Sequence, residues 1–206
     1  MPLKDTGTER LIKDAAKRLL FAEGKLYATT QDIADAAGIN RSAVHYYYRT
    51  RNQLISQVFE ESMTALSLRL DQAMLSDHPF PKKIEELIDI YLAEMIAYPY
   101  EETFMVTEIN NAGHKLVTKI KEGPVSSFLE EVAREMEAGT IDKMNPVHFL
   151  INLFSLLSYP IIMAPLYQQF FQLAKDDFNK IIQERRDLVY QMIFKTKDGK
   201  TDHVKM

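Results

Sequence analysis

Three polar side chains lie close together near the N-terminus of the chain: Arg41, Ser42 and His45. A guanidinium group can donate two hydrogen bonds to N7 and O6 of guanine, and hydroxyl and imidazole groups can donate to or accept from base edges. Val44 and Tyr48 are four residues apart, so a helix would turn both inward and leave the three polar residues on another face. This pattern favours recognition of base edges in the major groove of DNA.

A second group of side chains flanks this face and is suited to the phosphate backbone. Hydroxyl, amide and guanidinium groups donate to phosphate oxygens, and helix N-termini attract the same anions. We therefore expect Thr30 and Arg51 to bind phosphates at the starts of two helices. The complete set of predicted DNA-binding residues is Thr30, Asn40, Arg41, Ser42, His45, Tyr46, Tyr47 and Arg51.

These side chains need two short helices and a tight turn to position them. Thr30 precedes a run with an acidic first turn, and Gly38 ends that run, which predicts a helix over 31–37 capped by the Thr30 hydroxyl. Asn40 can cap a third helix over 41–47. An amphipathic helix over 10–23 precedes both, so the pattern is typical of a helix-turn-helix.

Beyond residue 50 the apolar side chains recur every three or four residues, and no segment alternates with a period of two for long enough to be a strand. The spacing predicts a long fourth helix followed by about five more. We therefore expect an all-α protein with an N-terminal three-helix helix-turn-helix DNA-binding domain over residues 1–50. A C-terminal helical ligand-binding and dimerisation domain would occupy residues 51–206.

The segment from Thr29 to Leu54 resembles the DNA-binding domain of the TetR/AcrR family of transcriptional regulators. Four family patterns occur in order: T-T, I-A-x-x-A-G-V, Y-x-x-F and S-K-x-x-L. In this chain the last three end in Ile39, Tyr48 and Leu54, and the resemblance extends over roughly residues 8–59. The chain departs from the family with His45 for tyrosine, Tyr48 for phenylalanine and Arg51 for lysine.

The resemblance implies a two-fold dimer that binds a palindromic operator, and a C-terminal domain that holds a small molecule. It further implies a four-helix interface from the last two long helices of each chain, here about 145–163 and 176–195. Apolar effector pockets carry mostly hydrophobic walls with a few polar groups. The candidate pocket residues are Tyr91, Met95, Phe104, Met105, His114, Phe128, Phe149 and Asn152.

Composition excludes several other classes of protein. The 206 residues include no cysteine, which excludes disulfides, thiolate metal sites and cysteine nucleophiles. The chain shows no phosphate-binding glycine loop, nucleophile elbow, dinucleotide fingerprint or metal-ligand spacing, so we expect no enzyme, no cofactor and no metal site. The first 51 residues carry 9 Lys and Arg against 6 Asp and Glu, whereas the rest carry 16 against 23, so the positive end is the expected contact for a polyanion.

The strongest contrary signal is the run from Met144 to Ala174, which contains no charged residue and is long enough to span a bilayer. Its polar and proline residues argue against a span, and a helix apolar on all sides is also typical of one covered by both its own domain and a partner. Because the first residues lack the apolar core of a signal peptide, we expect a cytoplasmic protein without a membrane contact.

The sequence therefore predicts a DNA-binding transcriptional regulator, most simply a repressor, that a small and largely apolar effector releases from a palindromic operator. One alternative is a DNA-binding protein whose C-terminal domain recruits a protein or membrane partner. A second is an enzyme with a vestigial helix-turn-helix, which the missing catalytic motifs weaken.

Overall fold

The computed structural model describes residues 7–112 and 122–194, with side chains for all of these except 108–112 and 122. This part of the chain contains ten α-helices and no strand, which confirms the all-α prediction. A π-helical turn, Arg18–Ala22, extends the first helix. The helices are α1 (Gly7–Lys17), α2 (Thr30–Ala37), α3 (Arg41–Tyr47), α4 (Arg51–Leu75), α5 (Phe80–Ala97), α6 (Glu101–Ala112), α7 (Glu122–Ala138), α8 (Pro146–Ile162), α9 (Ala164–Phe170) and α10 (Lys175–Ile193).

Two hydrophobic clusters divide the molecule. The head is built from α1, α2, α3 and the first turns of α4, and its cluster extends along α4 to Phe59. The body consists of the later helices, with a cluster that begins at Ala73 of α4. The clusters therefore divide within α4, whereas the domain boundary drawn from sequence at residues 50 and 51 falls at the start of this helix. Because α4 is continuous for 25 residues, it connects the head and the body as one uninterrupted helix.

The start of α6 is inserted into the head and forms the joint between the two parts. Phe104 is 8% exposed, and its ring centroid lies 5.3 Å from those of both Phe21 and Phe59. The backbone N–H of Tyr100 donates to the carbonyl of Phe21 at 3.0 Å. Gly24 has a φ of 71°, and a Cβ there would lie within 3 Å of the Tyr100 ring. Both the backbone conformation and the close contact therefore favour glycine at this position.

An ion-pair network crosses the same joint. Glu94 of α5 is buried and accepts from Lys17 of α1 at 3.1 Å and from Arg69 of α4. The Lys17 ammonium also lies 3.7 Å from the ring centroid of Tyr98. Breaking such a group by removing one partner is costly because the remaining charges stay partly desolvated. The three helices are therefore held in one arrangement by polar contacts as well as by packing.

Helix α8 contains a proline, and a side chain of α10 supplies the hydrogen-bond donor that this proline lacks. Pro160 has no N–H, so the carbonyl of Leu156 four residues earlier loses its usual helical donor. Arg185 of α10 supplies two donors to that carbonyl, from Nε at 2.9 Å and Nη2 at 2.6 Å. The chain then bends by 64° between α8 and α9, a break that the sequence analysis did not predict.

Neither α8 nor any other helix of the described residues is by itself long and apolar enough to cross a membrane. Helices α8 and α9 would pass that test only as a pair, across their 64° bend.

Candidate nucleic-acid interface

The turn between α2 and α3 is fixed by local backbone bonds. Gly38 adopts a φ of 68°, and its N–H donates to the carbonyls of Ala34 and Asp35. The N–H of Ile39 also donates to the carbonyl of Ala34 at 3.0 Å. A left-handed residue with these bonds is a common way to end a helix, and it brings the next helix in at a steep angle. The predicted helix, turn and helix are therefore present.

The cap of α2 is shifted by one residue from the prediction. Thr29, not Thr30, is the N-cap: its hydroxyl accepts from the N–H of Asp32 at 3.2 Å, and the Asp32 carboxylate accepts from the N–H of Thr29 at 2.7 Å. The hydrogen bonds that the backbone N–H and the hydroxyl of Thr29 donate to this carboxylate lower the pKa of Asp32. Thr30 is the first helical residue and its side chain is buried. With two threonines in a row, the sequence offers two possible hydroxyl caps, and only the backbone bend selects between them.

Helix α3 presents one buried side and one exposed side, as its spacing predicts. Val44 is fully buried and Tyr48, directly after the helix, is 2% exposed, and both belong to the head cluster with Ile33. Arg41, Ser42 and His45 are exposed. The residues from 40 to 51 include three arginines and no acid, so this surface is cationic. A duplex could approach it without meeting a carboxylate on α3.

A cleft of about 610 Å³ opens beside the N-terminus of α3, between that helix and the start of α1. Four of the predicted DNA-binding residues contribute to its lining. Asn40 occupies the N-cap position of α3, but its side chain makes no capping bond and is exposed. The ring of Tyr46 is exposed and meets the ring of Tyr47 edge to face at 5.3 Å. The cleft is lined by Thr8, Ile39, Asn40, Ser42, Ala43, Tyr46 and Tyr47.

Arg51 has a structural role that the sequence analysis did not foresee. Its Nε donates to the carbonyl of Ala28 at 2.6 Å and its Nη2 to the carbonyl of Leu26 at 2.5 Å. These bonds tie the start of α4 to the loop between α1 and α2. The guanidinium group is therefore engaged within the head, which leaves fewer of its five N–H donors for a phosphate than the prediction assumed.

Two long-range contacts of the head, one made by Tyr48 directly after α3 and one made to Ala36 of α2, were missed from sequence. The hydroxyl of Tyr48 donates to Oε1 of Glu9 on α1 at 3.3 Å, and Arg18 donates to the carbonyl of Ala36 at 3.2 Å. In each of these two hydrogen bonds the donor and the acceptor lie 18 or more residues apart along the chain, so no local spacing in the sequence indicates the contact. The one signal was the presence of a phenol at position 48, since a buried hydroxyl needs a partner.

The described members of the predicted effector pocket are divided between the two hydrophobic clusters and the surface. Phe104 and Met105 belong to the cluster of the head, whereas Tyr91, Met95, Phe128 and Phe149 belong to that of the body. Asn152 is exposed on α8, where its amide contacts the sulfur of Met144 at 3.8 Å. His114 lies outside the described residues. The aromatic members of the body cluster pack on one another, with the rings of Phe80 and Phe128 stacked at 6.0 Å.

The acidic and histidine side chains of 7–112 and 122–194 form no group of three or more that could hold a metal ion.

Comparison with known proteins agrees with this geometry. Residues 12–58 match the family model for bacterial regulatory proteins of the tetR family. None of the curated protein sequences matches the chain at a significant level.

Solved structures match over almost the whole chain, at low identity. A TetR family transcription regulator from Marinobacter aquaeolei VT8 is 14% identical with a TM-score of 0.62, covering 94% of this chain and 99% of that one. A protein of unknown function from Rhodococcus sp. RHA1 is 16% identical with the same score of 0.62 and the same coverage of 94% and 99%. A TetR-family transcriptional regulator from Haemophilus influenzae RD is 13% identical with a TM-score of 0.55, covering 91% and 96%. At these identities the likeness establishes the fold.

Proposed function

Because this chain carries a TetR-family helix-turn-helix domain within the fold of TetR-family transcription regulators, we propose that it is a homodimeric repressor released from a palindromic operator by a small molecule. The observation that carries the proposal is the outward side of α3. Its exposed polar residues stand on a helix whose other side is locked into the head, as major-groove recognition requires.

In this proposal the eight predicted residues have unequal roles. Arg41, Ser42 and His45 face base edges, since they share the exposed side of α3. Asn40, Tyr46 and Tyr47 border the adjacent cleft and contact the sugar-phosphate backbone. Thr30 contributes through its backbone N–H at the start of α2, because its hydroxyl is buried. Arg51 supports the phosphate contact by holding the loop that precedes α2.

The proposed dimer interface is the uncovered side of α8 and α10. On α8, Val147, Ile151 and Tyr159 are each about half exposed and lie four or eight residues apart, hence on one side of the helix. On α10, Leu188 and Met192 form a similar exposed apolar row. A charge-free helix that buries one side in its own subunit and exposes the other is accounted for by a partner. Pairing two copies through these helices gives a closed, two-fold assembly.

The proposed switch is a change in the separation of the two heads. Two recognition helices must meet successive major grooves about 34 Å apart. An effector held in the body favours a form in which α4 and α6 move the head away from that spacing. Such a response requires that the effector bind the two forms with different affinity.

One observation favours a second candidate, in which the body recruits a protein or membrane partner. The aromatic rings of Phe170 and Phe171, at the end of α9, are 74% and 58% exposed. They lie at the tip of the apolar run, next to exposed Leu166. Partitioning of the purified protein between buffer and lipid vesicles, together with its mass in detergent-free gel filtration, separates this candidate from a dimer without such a partner.

The deciding experiment is selection from a random pool of double-stranded DNA with the purified chain, followed by sequencing of the bound fraction. Enrichment of a palindrome with half-sites about one helical turn apart supports the proposal. Failure of a folded, dimeric protein to enrich any sequence contradicts it. An Arg41→Ala variant in the same selection is the matched control, because it removes one base contact without touching the buried side of α3.

A further inference from the structure

The side-chain donors at the start of α2 are engaged within the head. The hydroxyl of Thr29 donates to Oδ2 of Asp32 at 2.7 Å, and Thr30 is buried. The guanidinium group of Arg51 donates to two carbonyls of the loop that precedes α2. In a helix-turn-helix the first helix crosses the DNA backbone, and phosphate contacts there fix the orientation of the protein. These three side chains therefore have few donors left for a phosphate at this edge of the head.

The same loop carries one side chain that points away from the head, that of Tyr27. It is 93% exposed, the highest value for a large hydrophobic side chain in the described part of the chain. Its hydroxyl makes no hydrogen bond with a residue of 7–112 or 122–194. Tyr27 lies three residues before Thr30, so their Cα atoms are at most about 11 Å apart. A free phenol thus stands beside the end of α2 that attracts anions.

The charges around Tyr27 suit the approach of a phosphate. Residues 24–31 include one lysine and no acid. The acids on either side of this stretch are engaged, since Glu23 pairs with Lys25 at 2.8 Å and Asp32 accepts from Thr29. Carboxylates that already have donors repel an incoming anion less than free ones do.

The loop holds Tyr27 in place from both sides. Arg51 donates to the carbonyl of Leu26, which precedes it, and to the carbonyl of Ala28, which follows it. Leu26 packs against the head cluster, and Ala28 is buried within it. The N–H of Ala28 also donates to the carbonyl of Lys25 at 2.9 Å. Because this backbone is already ordered, a contact made by Tyr27 costs little additional ordering.

We propose that the hydroxyl of Tyr27 donates a hydrogen bond to a phosphate oxygen of the operator backbone, next to the start of α2. A phenol is a common donor to DNA phosphates, and a hydrogen bond to a charged acceptor is stronger than one between neutral groups. Arg51 is then the positioning residue for this contact. The inference rests on the proposed function and names the residue of the loop that touches the backbone.

Tyr27→Phe in the full-length protein tests the contact, because it removes the hydroxyl and keeps the ring. Fluorescence anisotropy with a selected operator should show a loss of about threefold per half-site, or about tenfold for a dimer on a palindrome. Because the phenol is neutral, a plot of log affinity against log salt should keep its slope. The matched control is Tyr167→Phe on α9, which deletes a hydroxyl in the body and should change operator affinity by less than about twofold.

Chemically modified operators locate the phosphate. In each of them one phosphate near the edge of the half-site is replaced by a neutral methylphosphonate. At the contacted position the wild type should lose affinity, and Tyr27→Phe should then bind no more weakly than the wild type. At the other positions the difference between the two proteins should persist.

Three results overturn the inference: equal operator affinity of Tyr27→Phe and the wild type, a changed salt slope, and a difference that persists at every methylphosphonate position. The same variant is also titrated with random-sequence duplex at low salt, since a phosphate contact carries no sequence information. A loss there, without any selected operator, would contradict the proposed function and support the role of Tyr27. A selected operator that Tyr27→Phe binds as the wild type does would support the function and overturn the role.

Discussion

The turn and the helix caps of the head depend on contacts that are local in sequence, although Arg51 and Tyr48 also make contacts there across 23 and 39 residues, whereas ion pairs of the body join distant parts of the chain. In the head, the Gly38 turn, the Thr29 to Asp32 cap and the Thr50 to Gln53 cap all join residues within four positions. In the body, Lys83 pairs with Glu131 across 48 residues, and Arg186 pairs with Asp89 across 97. Short-range chemistry leaves a pattern in the sequence, whereas long-range pairing does not. This difference explains why the head could be identified from sequence and a binding site in the body could not.

Phe104 breaks this division, because it belongs to α6 by sequence and to the head by packing. Truncation in Phe104→Ala removes the ring between Phe21 and Phe59, and we expect the free energy of unfolding to fall by about 3–5 kcal/mol. Urea denaturation followed by circular dichroism measures this. The matched control is Val106→Ala on the same helix, which is 49% exposed and should change stability by less than about 0.5 kcal/mol. Similar losses in the two variants would mean that α6 is not inserted in the head.

The sequence predicted a feature correctly where only one residue type suits the local backbone conformation. It failed where two neighbouring residues could fill the same role. Gly38 was correctly assigned to the turn because a left-handed residue there is best served by glycine. Thr29 and Thr30 are equally good caps by type, and the choice depended on which backbone is extended. Phe104 and Phe149 look alike as apolar helical residues, yet they lie in different clusters. Helix periodicity reveals which side is buried but not what covers it.

Two arginines of the head sharpen the comparison within a single domain. Arg41→Ala should weaken operator binding by about 1–3 kcal/mol, relax one operator position and leave stability unchanged, because its side chain is exposed. Arg51→Ala should weaken binding to all sequences alike and also lower the melting temperature, because two backbone carbonyls lose their donors. Anisotropy titrations on operator and scrambled DNA, with thermal melts, distinguish the two. An unchanged melting temperature in Arg51→Ala would contradict the structural role.

Substitutions of Arg185 and Pro160 test whether the stability of the body depends on the hydrogen bond between α10 and the carbonyl that the proline leaves without a donor. Arg185→Met should lower the free energy of unfolding by about 1–3 kcal/mol, since the carbonyl of Leu156 is left without a donor. In a Pro160→Ala background the new N–H serves that carbonyl, so the same substitution should cost less. A double-mutant cycle by urea denaturation measures the coupling. Additive effects of the two substitutions would show that the proline and the arginine act independently.

The head and the body can also be compared through the pH dependence of stability that one carboxylate in each of them produces. In the head, the hydrogen bonds of Thr29 lower the pKa of Asp32, so its contribution to stability is present above its ordinary pKa of 3.8 and is lost as pH falls. In the body, burial raises the pKa of Glu102 from 4.5 to about 6, so the folded state binds the proton more tightly than the unfolded state. Its ionisation therefore lowers stability as pH rises through this window, by on the order of 1 kcal/mol.

Substitution of each acid by its amide should consequently act in opposite directions. Glu102→Gln should be more stable than the wild type at pH 8, and this advantage should vanish as the pH falls below 4.5, where the wild-type carboxyl becomes protonated in the unfolded state as well as in the folded one. Asp32→Asn should be less stable than the wild type at pH 8 and approach it only in stronger acid. Urea denaturation from pH 3 to pH 8 follows both differences, with Glu137→Gln as an exposed control. A Glu102→Gln variant that is less stable than the wild type at pH 8 would show that the body already offsets this charge. The ionised carboxylates of Asp32 and Glu102 would then both stabilise the folded state.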